Sequence, residues 1–146
     1  MRVRIQTIGD TPMPEYQTSG AVAFDLQARE ETTIPARSLG LIPTGLIIET
    51  PREHALLVCA RSSTPKKKGL LIPHGIGIID QDYCGEQDEI QLQYYNFTDE
   101  DVLIKKHERC GQAMFLRVDK ADFEKIHLTQ TTFSETSRGG FGSTGN

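Results

Sequence analysis

The sequence predicts an all-β domain, a sandwich, jelly roll or barrel, and three observations carry that expectation. Short apolar or alternating runs of strand length recur at close spacing along most of the chain. Proline, glycine and small polar residues punctuate them. No convincing amphipathic helix longer than two turns interrupts them, residues 120–125 being the best short candidate.

Taken in order, Arg2-Val3-Arg4-Ile5-Gln6 alternates polar and apolar, the period of a half-buried strand. Residues 10–20 contain Pro12 and Pro14 among scattered polar groups and read as loop. Ala21-Val22-Ala23-Phe24-Asp25-Leu26 reads as a strand with an acid set among apolar neighbours. Thr32-Thr33-Ile34-Pro35 and Leu39-Gly40-Leu41-Ile42-Pro43 are β pieces stopped by proline. Leu46-Ile47-Ile48-Glu49 and Ala55-Leu56-Leu57-Val58-Cys59 continue the rhythm, as do Glu89-Ile90-Gln91-Leu92-Gln93-Tyr94, Val102-Leu103-Ile104 and Ala113-Met114-Phe115-Leu116-Arg117-Val118. Residues 134–146 are rich in Gly, Ser and Thr with Phe141 the lone apolar group, and read as a mobile arm after a domain over 1–133.

The totals narrow the function class. A chain of 146 residues suits one domain with a real core, and 37% hydrophobic with 25% charged residues is an ordinary globular balance. No apolar run is long enough for a transmembrane helix, and the N-terminus lacks the apolar stretch of a signal peptide, so no membrane partner is expected. A net charge of −4 argues against a general nucleic-acid surface. Cys59, Cys84 and Cys110 are widely separated, odd in number and without zinc spacing, which fits a reducing cytoplasm.

Five stretches carry more chemistry than a plain β scaffold needs. Asp25 is either a solvent-facing acid on an edge strand or a carboxylate holding a hard cation such as Mg²⁺ through water. Arg61-Ser62-Ser63-Thr64-Pro65-Lys66-Lys67-Lys68-Gly69 offers a guanidinium fork and hydroxyls suited to phosphate oxygens, and its lysines read as a solvated basic turn. Gly75-Ile76-Gly77-Ile78-Ile79-Asp80-Gln81-Asp82-Tyr83-Cys84-Gly85 reads as a buried strand, its isoleucines in the core, delivering an acid into a turn. There Asp80 suits a general base, Tyr83 a stacking face, Asp82 a turn former and His74 a polar-edge contact. Glu108-Arg109-Cys110-Gly111-Gln112 is either an ordinary turn or one that aims Gln112. Arg138-Gly139-Gly140-Phe141-Gly142-Ser143-Thr144-Gly145 has the glycines and hydroxyls of an anion-cradling loop, with Phe141 as a lid.

In this order, from Gly20 to Gly145, the five stretches resemble the homotrimeric all-β dUTP diphosphatases (dUTPases). Ile79-Asp80-Gln81-Asp82-Tyr83-Cys84-Gly85 and Gly139-Gly140-Phe141-Gly142-Ser143-Thr144-Gly145 carry the resemblance most strongly. It implies a jelly-roll-like β-clip barrel with a glycine-rich arm that closes over the site. It implies hydrolysis of dUTP to dUMP and diphosphate, limiting uracil in DNA and supplying dUMP for thymidylate synthesis. By that resemblance Asp80 activates the attacking water, Tyr83 packs under the deoxyribose, and backbone around residues 75–77, including Gly77, reads the uracil edge beside His74. Asp25 meets the waters of a Mg²⁺ on the triphosphate, Ser62 and Ser63 meet the phosphates with Arg61 nearby or at a subunit contact, and Gln112 donates to phosphate or to an ordered water. Arg138, Gly142, Ser143 and Thr144 grip the terminal phosphates and Phe141 stacks on the uracil, each site drawing on three chains of a homotrimer.

The chain departs from the family pattern at Cys84, where Arg or Gln is usual, at Ser63, often glycine, and at His74, where many relatives carry Asn. The 86–89 segment is longer than the usual hairpin return, and Arg138 abuts the Gly-Gly-Phe-Gly run where the common pattern places Arg further ahead of it. The nearest enzyme alternative is a dCTP deaminase-like activity on the same fold, which needs a Glu where Gln93 stands. The alternative of another class is a dUTP-binding regulatory protein.

Overall fold

Alternation of side chains is what organises the chain into strands, and it is visible in the burial of nearly every element. The computed structural model describes residues 1–126. Among these residues run β1 (Arg4–Thr7), β2 (Phe24–Gln27), β3 (Thr32–Ile34), β4 (Leu39–Pro43), β5 (Leu46–Glu49), β6 (His54–Cys59), α1 (Thr64–Lys68), β7 (Leu70–Leu71), β8 (Gly77–Ile79), β9 (Gln91–Asn96), β10 (Val102–Ile104) and β11 (Arg109–Arg117). The all-β class expected from the sequence is the class the chain adopts. All strand pairs are antiparallel, in four sheets ordered β2-β11-β6-β8, β4-β9-β7, β1-β5 and β3-β10. The mobile arm expected at 134–146 and the domain end expected at 133 lie outside the described residues.

The inward faces meet in one core around Leu26, Ile34, Ile42, Ile48, Leu56, Leu92 and Tyr94, all buried. Each such aliphatic side chain contributes roughly 1.5–3 kcal/mol by leaving water. Most polar groups drawn in with them find partners, the Thr50 hydroxyl being an exception. Tyr94 Oη donates to the Cys110 carbonyl at 2.7 Å, and burial pushes its ionisation above the ordinary range. Buried Asn96 donates to the carbonyls of Ile34 (3.0 Å) and Glu100 (2.8 Å) and accepts the Thr98 N–H (2.9 Å), tying β9 to β3 and to the turn before β10.

Local readings need correction at a few points. Residues 120–125 are not helical. Val118 N–H donates to the Glu53 carbonyl at 2.9 Å, so the chain leaves β11 tied to the turn before β6. Beyond it Phe123 is 98% exposed, so a short helix there would bury no apolar face, and one turn of propensity does not suffice. The helix lies instead in the basic stretch read as a turn. Pro65 sits in its first turn, and Gly69 closes it in the left-handed region at φ 65°, its N–H donating to Pro65 O. The first strand after the loop begins at Phe24, not Ala21.

The isoleucine run is the larger correction. Ile76 and Ile78 are exposed and Ile79 alone packs against the core. Among the described residues β8 pairs only with β6, so there it is an edge strand with an outward face. That face continues across the sheet, because the register aligns Ile78 with Leu57 and Leu57 with Met114, and Ala55 with Leu116. Ile78 is 67% and Leu116 50% exposed, so the outward face of this sheet is markedly apolar.

Candidate active site

One half of the site forms where β2, β11 and β6 run side by side. Phe24 and Leu26 of β2 point inward and are buried, which turns Asp25 to the outward face. Its side chain is 13% exposed and held by two guanidiniums, Arg61 Nε at 3.0 Å from Oδ1 and Arg109 Nη1 donating to Oδ2 at 3.1 Å. Gln112 stands opposite Asp25 on one side and Cys59 on the other, and its Nε2 donates to the Ala60 carbonyl at 3.1 Å. This fixes the strand end from which Arg61, Ser62 and Ser63 project. The pairing of β11 with β2 shifts register between Arg109 and Gly111, a bulge that re-aims Arg109. Gly111 is required there, since a Cβ would lie 2.5 Å from Leu92 Cδ1 and 3.2 Å from the Cys59 carbonyl.

Beside this cluster opens a cleft of about 270 Å³ lined by Arg61, Ser63, Thr64, Lys67, Lys68, Glu108 and Arg109. Four cationic side chains are set against two carboxylates, Glu108 in the cleft and Asp25 beside it. Glu108 is desolvated, which raises its pKa, yet the Lys68 ammonium at 2.7 Å and the Lys105 N–H outweigh this and hold it below the usual range. The remaining positive charge suits an anion with several oxygens.

The other half is the hairpin that carries β8. Gly75 turns the chain at φ 80°, and its N–H donates to Ile72 O at 3.0 Å. Gly77 lets β8 close on β6, because a Cβ would lie 2.5 Å from Val58 Cγ2. His74 is exposed on the same hairpin. The turn after β8 closes through Tyr83 N–H to Asp80 O at 3.3 Å. Gln81 braces it, Nε2 donating to His54 O at 3.0 Å and Oε1 accepting from Lys120 Nζ at 3.4 Å. Asp80 is exposed and lines a cleft of about 350 Å³ with His54 and Lys120 among its walls. The Tyr83 ring is 40% exposed, with Oη donating to Glu89 O at 3.3 Å.

The structure brings Asp25, Arg61, Ser63 and Gln112 together, with Ser62 exposed in the same loop, and places His74, Gly77, Asp80 and Tyr83 on one hairpin. It does not join the two groups within a chain. Ile79 pairs with Leu56, whereas Gln112 pairs with Cys59. Asp80 therefore lies about 13 Å from the Asp25 row along β6 and three strand spacings, about 14 Å, across the sheet. Arg138, Phe141, Gly142, Ser143 and Thr144 lie outside the described residues. Arg109 and the Lys67–Lys68 pair were not singled out from the sequence for this cluster. A basic residue just before the Gly111-Gln112 pair is the signal that could have marked Arg109.

Among the described residues no group of three or more His, Cys, Asp or Glu side chains is placed to hold a metal. The one carboxylate of the cluster, Asp25, has acceptor sites left after its two guanidiniums, since a carboxylate offers about four. This fits contact with the waters of a cation whose inner ligands come from a bound polyphosphate.

Sheet architecture and cationic cleft together define an all-β protein with a cleft whose charge suits a polyanion. Comparison with known proteins narrows the class. The sequence profile of the dUTPase family matches residues 10–145, and the chain belongs to that family. It is 36% identical over 136 residues to the deoxyuridine 5'-triphosphate nucleotidohydrolase of Lactococcus lactis, covering 91% of this chain and 87% of that protein. It is 40% identical over 138 residues to the protein of the same name from Desulfitobacterium hafniense, with the same coverage. The crystal structure of dUTPase from Streptococcus mutans superposes with a TM-score of 0.76 at 32% identity, over 82% of this chain and 98% of that one. Staphylococcus bacteriophage 80alpha dUTPase with dUpNHpp shares the fold at a TM-score of 0.84 and 19% identity, over 99% of both chains. A phage phi11 dUTPase, at a TM-score of 0.77 and 15% identity over 86% of this chain and 97% of that one, is described as coordinating a structural Mg(II) ion. The deaminase alternative finds no support in these relatives.

Proposed function

We propose that the chain hydrolyses dUTP to dUMP and diphosphate, water attacking the α-phosphorus, at sites shared between the chains of a homotrimer. The observation that carries this reading is the cationic cleft beside Asp25, paired with a distant hairpin that presents Asp80 and Tyr83. Arg61, Ser62, Ser63 and Gln112 receive the phosphates. Arg109 joins them by fixing Asp25 from the opposite side. Asp80 takes a proton from the attacking water, and its exposure leaves it open to a substrate held on another chain. Tyr83 lies against the deoxyribose and excludes a 2′-hydroxyl. His74 and the backbone at Gly77 meet the base. Arg138, Phe141, Gly142, Ser143 and Thr144 close over it from the arm.

Mg²⁺ would be held through water by Asp25 and would neutralise charge on the triphosphate. The residues named above bind, orient and deprotonate around it. The outward apolar face of β2-β11-β6-β8 supports association into the trimer. The free thiols of Cys59, Cys84 and Cys110 support a reducing, cytoplasmic setting, and no helix among the described residues is long and apolar enough to cross a membrane.

Incubation with dUTP, dCTP, dTTP and UTP in the presence of Mg²⁺, with products identified, tests the reading. Only dUTP should yield a monophosphate and diphosphate at high rate. Conversion of dCTP to a uracil nucleotide would overturn it. Asp80→Asn should lower kcat by about 10²–10⁴-fold while dUTP still binds, and a near-normal kcat would reject Asp80 as base. Removing the residues after Ser137 should cut turnover and leave the trimer, and loss of the trimer would show that the arm builds the assembly.

A further inference from the structure

The residues that lengthen the hairpin return are held in place. Asp88 Oδ2 accepts the Gly85 N–H at 2.7 Å and Asp88 N–H returns to Gly85 O at 3.0 Å, a closed turn. Glu89 follows, its side chain only 11% exposed. Its Oε1 accepts the Gly45 N–H at 2.6 Å and lies 3.1 Å from Arg29 Nε. Its own carbonyl accepts the hydroxyl of Tyr83 at 3.3 Å. The next residue, Ile90, is fully buried and locked to the same place: its N–H donates to Leu46 O at 2.9 Å, and its carbonyl takes the Thr44 N–H at 3.1 Å and the Thr44 hydroxyl at 2.6 Å.

The anchor is a rigid one. Gly45 sits at φ 70°, and a Cβ there would fall 1.9 Å from Thr11 Oγ1, so the β4–β5 turn has no room to shift. A line of contacts thus runs from this turn through the Glu89 carboxylate and backbone to the tip of an otherwise half-exposed aromatic ring.

We propose that Glu89 is a positioning residue for sugar selection: by clamping the hairpin return to the Gly45 turn it holds the carbonyl that fixes the Tyr83 ring. This rests on the reading of Tyr83 as the group that excludes the 2′-hydroxyl. A ring tethered at both its backbone and its hydroxyl cannot swing aside for a ribose. A ring tethered at its backbone alone can, and steric discrimination then weakens.

The ratio of kcat/KM for dUTP over UTP, measured on the full chain, is the readout, with the ratio for dUTP over dTTP alongside it. Tyr83→Phe removes the tether without touching the buried anchor, and should lower the dUTP/UTP ratio by about threefold to tenfold. Glu89→Ala should lower it in the same direction but by less, since the Ile90 N–H still ties the same peptide unit to Leu46 O, and should leave dUTP/dTTP within about twofold, base reading lying on the other arm of the hairpin. Glu89→Gln, which keeps the acceptor for Gly45 N–H, should restore most of the dUTP/UTP ratio. A general loss of structure would move both ratios and would not be rescued by Gln.

Tyr83→Ala separates the two ideas. If it lowers the dUTP/UTP ratio while Tyr83→Phe and Glu89→Ala both keep the wild-type value, the positioning role falls and the reading of Tyr83 stands. If Tyr83→Ala itself leaves the ratio unchanged, both fall. Should Glu89→Ala not fold, an unchanged ratio in Tyr83→Phe alone overturns the proposal.

Discussion

Asp25 lies between two guanidiniums, and removing its charge would leave both facing a neutral group. Asp25→Asn should therefore destabilise the domain by about 1–3 kcal/mol, read as a shift in the denaturant midpoint at unchanged slope. It should also lower turnover beyond what lost stability explains. Cys110 shows burial acting the other way. Its thiol is 5% exposed, and burial pushes its pKa from 9.0 to about 12. The folded state keeps the proton that the unfolded state gives up, so its stabilising effect is complete below pH 9.0 and is lost as pH rises toward about 12. An aromatic disulfide reagent at pH 8 should modify Cys59 and Cys84 in native protein and reach Cys110 only after denaturation; rapid native labelling of Cys110 would contradict its burial. At this scale the sequence was most readable where a residue type was out of place. An acid among isoleucines and an aromatic beside turn residues marked Asp80 and Tyr83. Arg109 was hard to single out because an arginine before a strand is ordinary, and only the bulge turns it toward Asp25.

Elements were readable where side chains alternate, since period two leaves little choice of face. β2, β6 and β9 follow that rule. Two departures from the expected elements have separate causes. Composition points the isoleucines of β8 inward, but an edge strand paired on one side has two unequal faces, and which of them is covered is not written locally. The helix at Thr64–Lys68 depends on its ends, Pro65 and Gly69, more than on a face. Close approach between strands offers a test at this scale. Gly111→Ala would press a methyl group against Leu92 and the Cys59 carbonyl. It should cost about 1–3 kcal/mol in equilibrium unfolding and displace Gln112 enough to raise KM for dUTP. A stable variant with unchanged KM would show that β11 can shift without harm.

For the whole molecule, the apolar row Ile78, Leu57 and Met114 is the feature a single chain leaves unexplained. On the proposed trimer, Leu57→Asp should reduce the mass measured by light scattering to that of a monomer, keep the far-ultraviolet β spectrum, and abolish turnover together with assembly. Retention of activity in a monomeric variant would refute a shared site. The motifs line up along the sequence as though they were one surface, but only the strand register reveals that they are not.

The separation of Asp80 from the Asp25 cluster along β6 has a consequence in genetics. Asp80→Asn and Gln112→Ala each disable a different half, so neither homotrimer should support turnover. Unfolded together and reassembled, they should form mixed trimers in which an intact hairpin from one parent meets an intact cleft from the other. Activity would then appear from two inactive parents. Two alleles that each fail alone would complement in one cell.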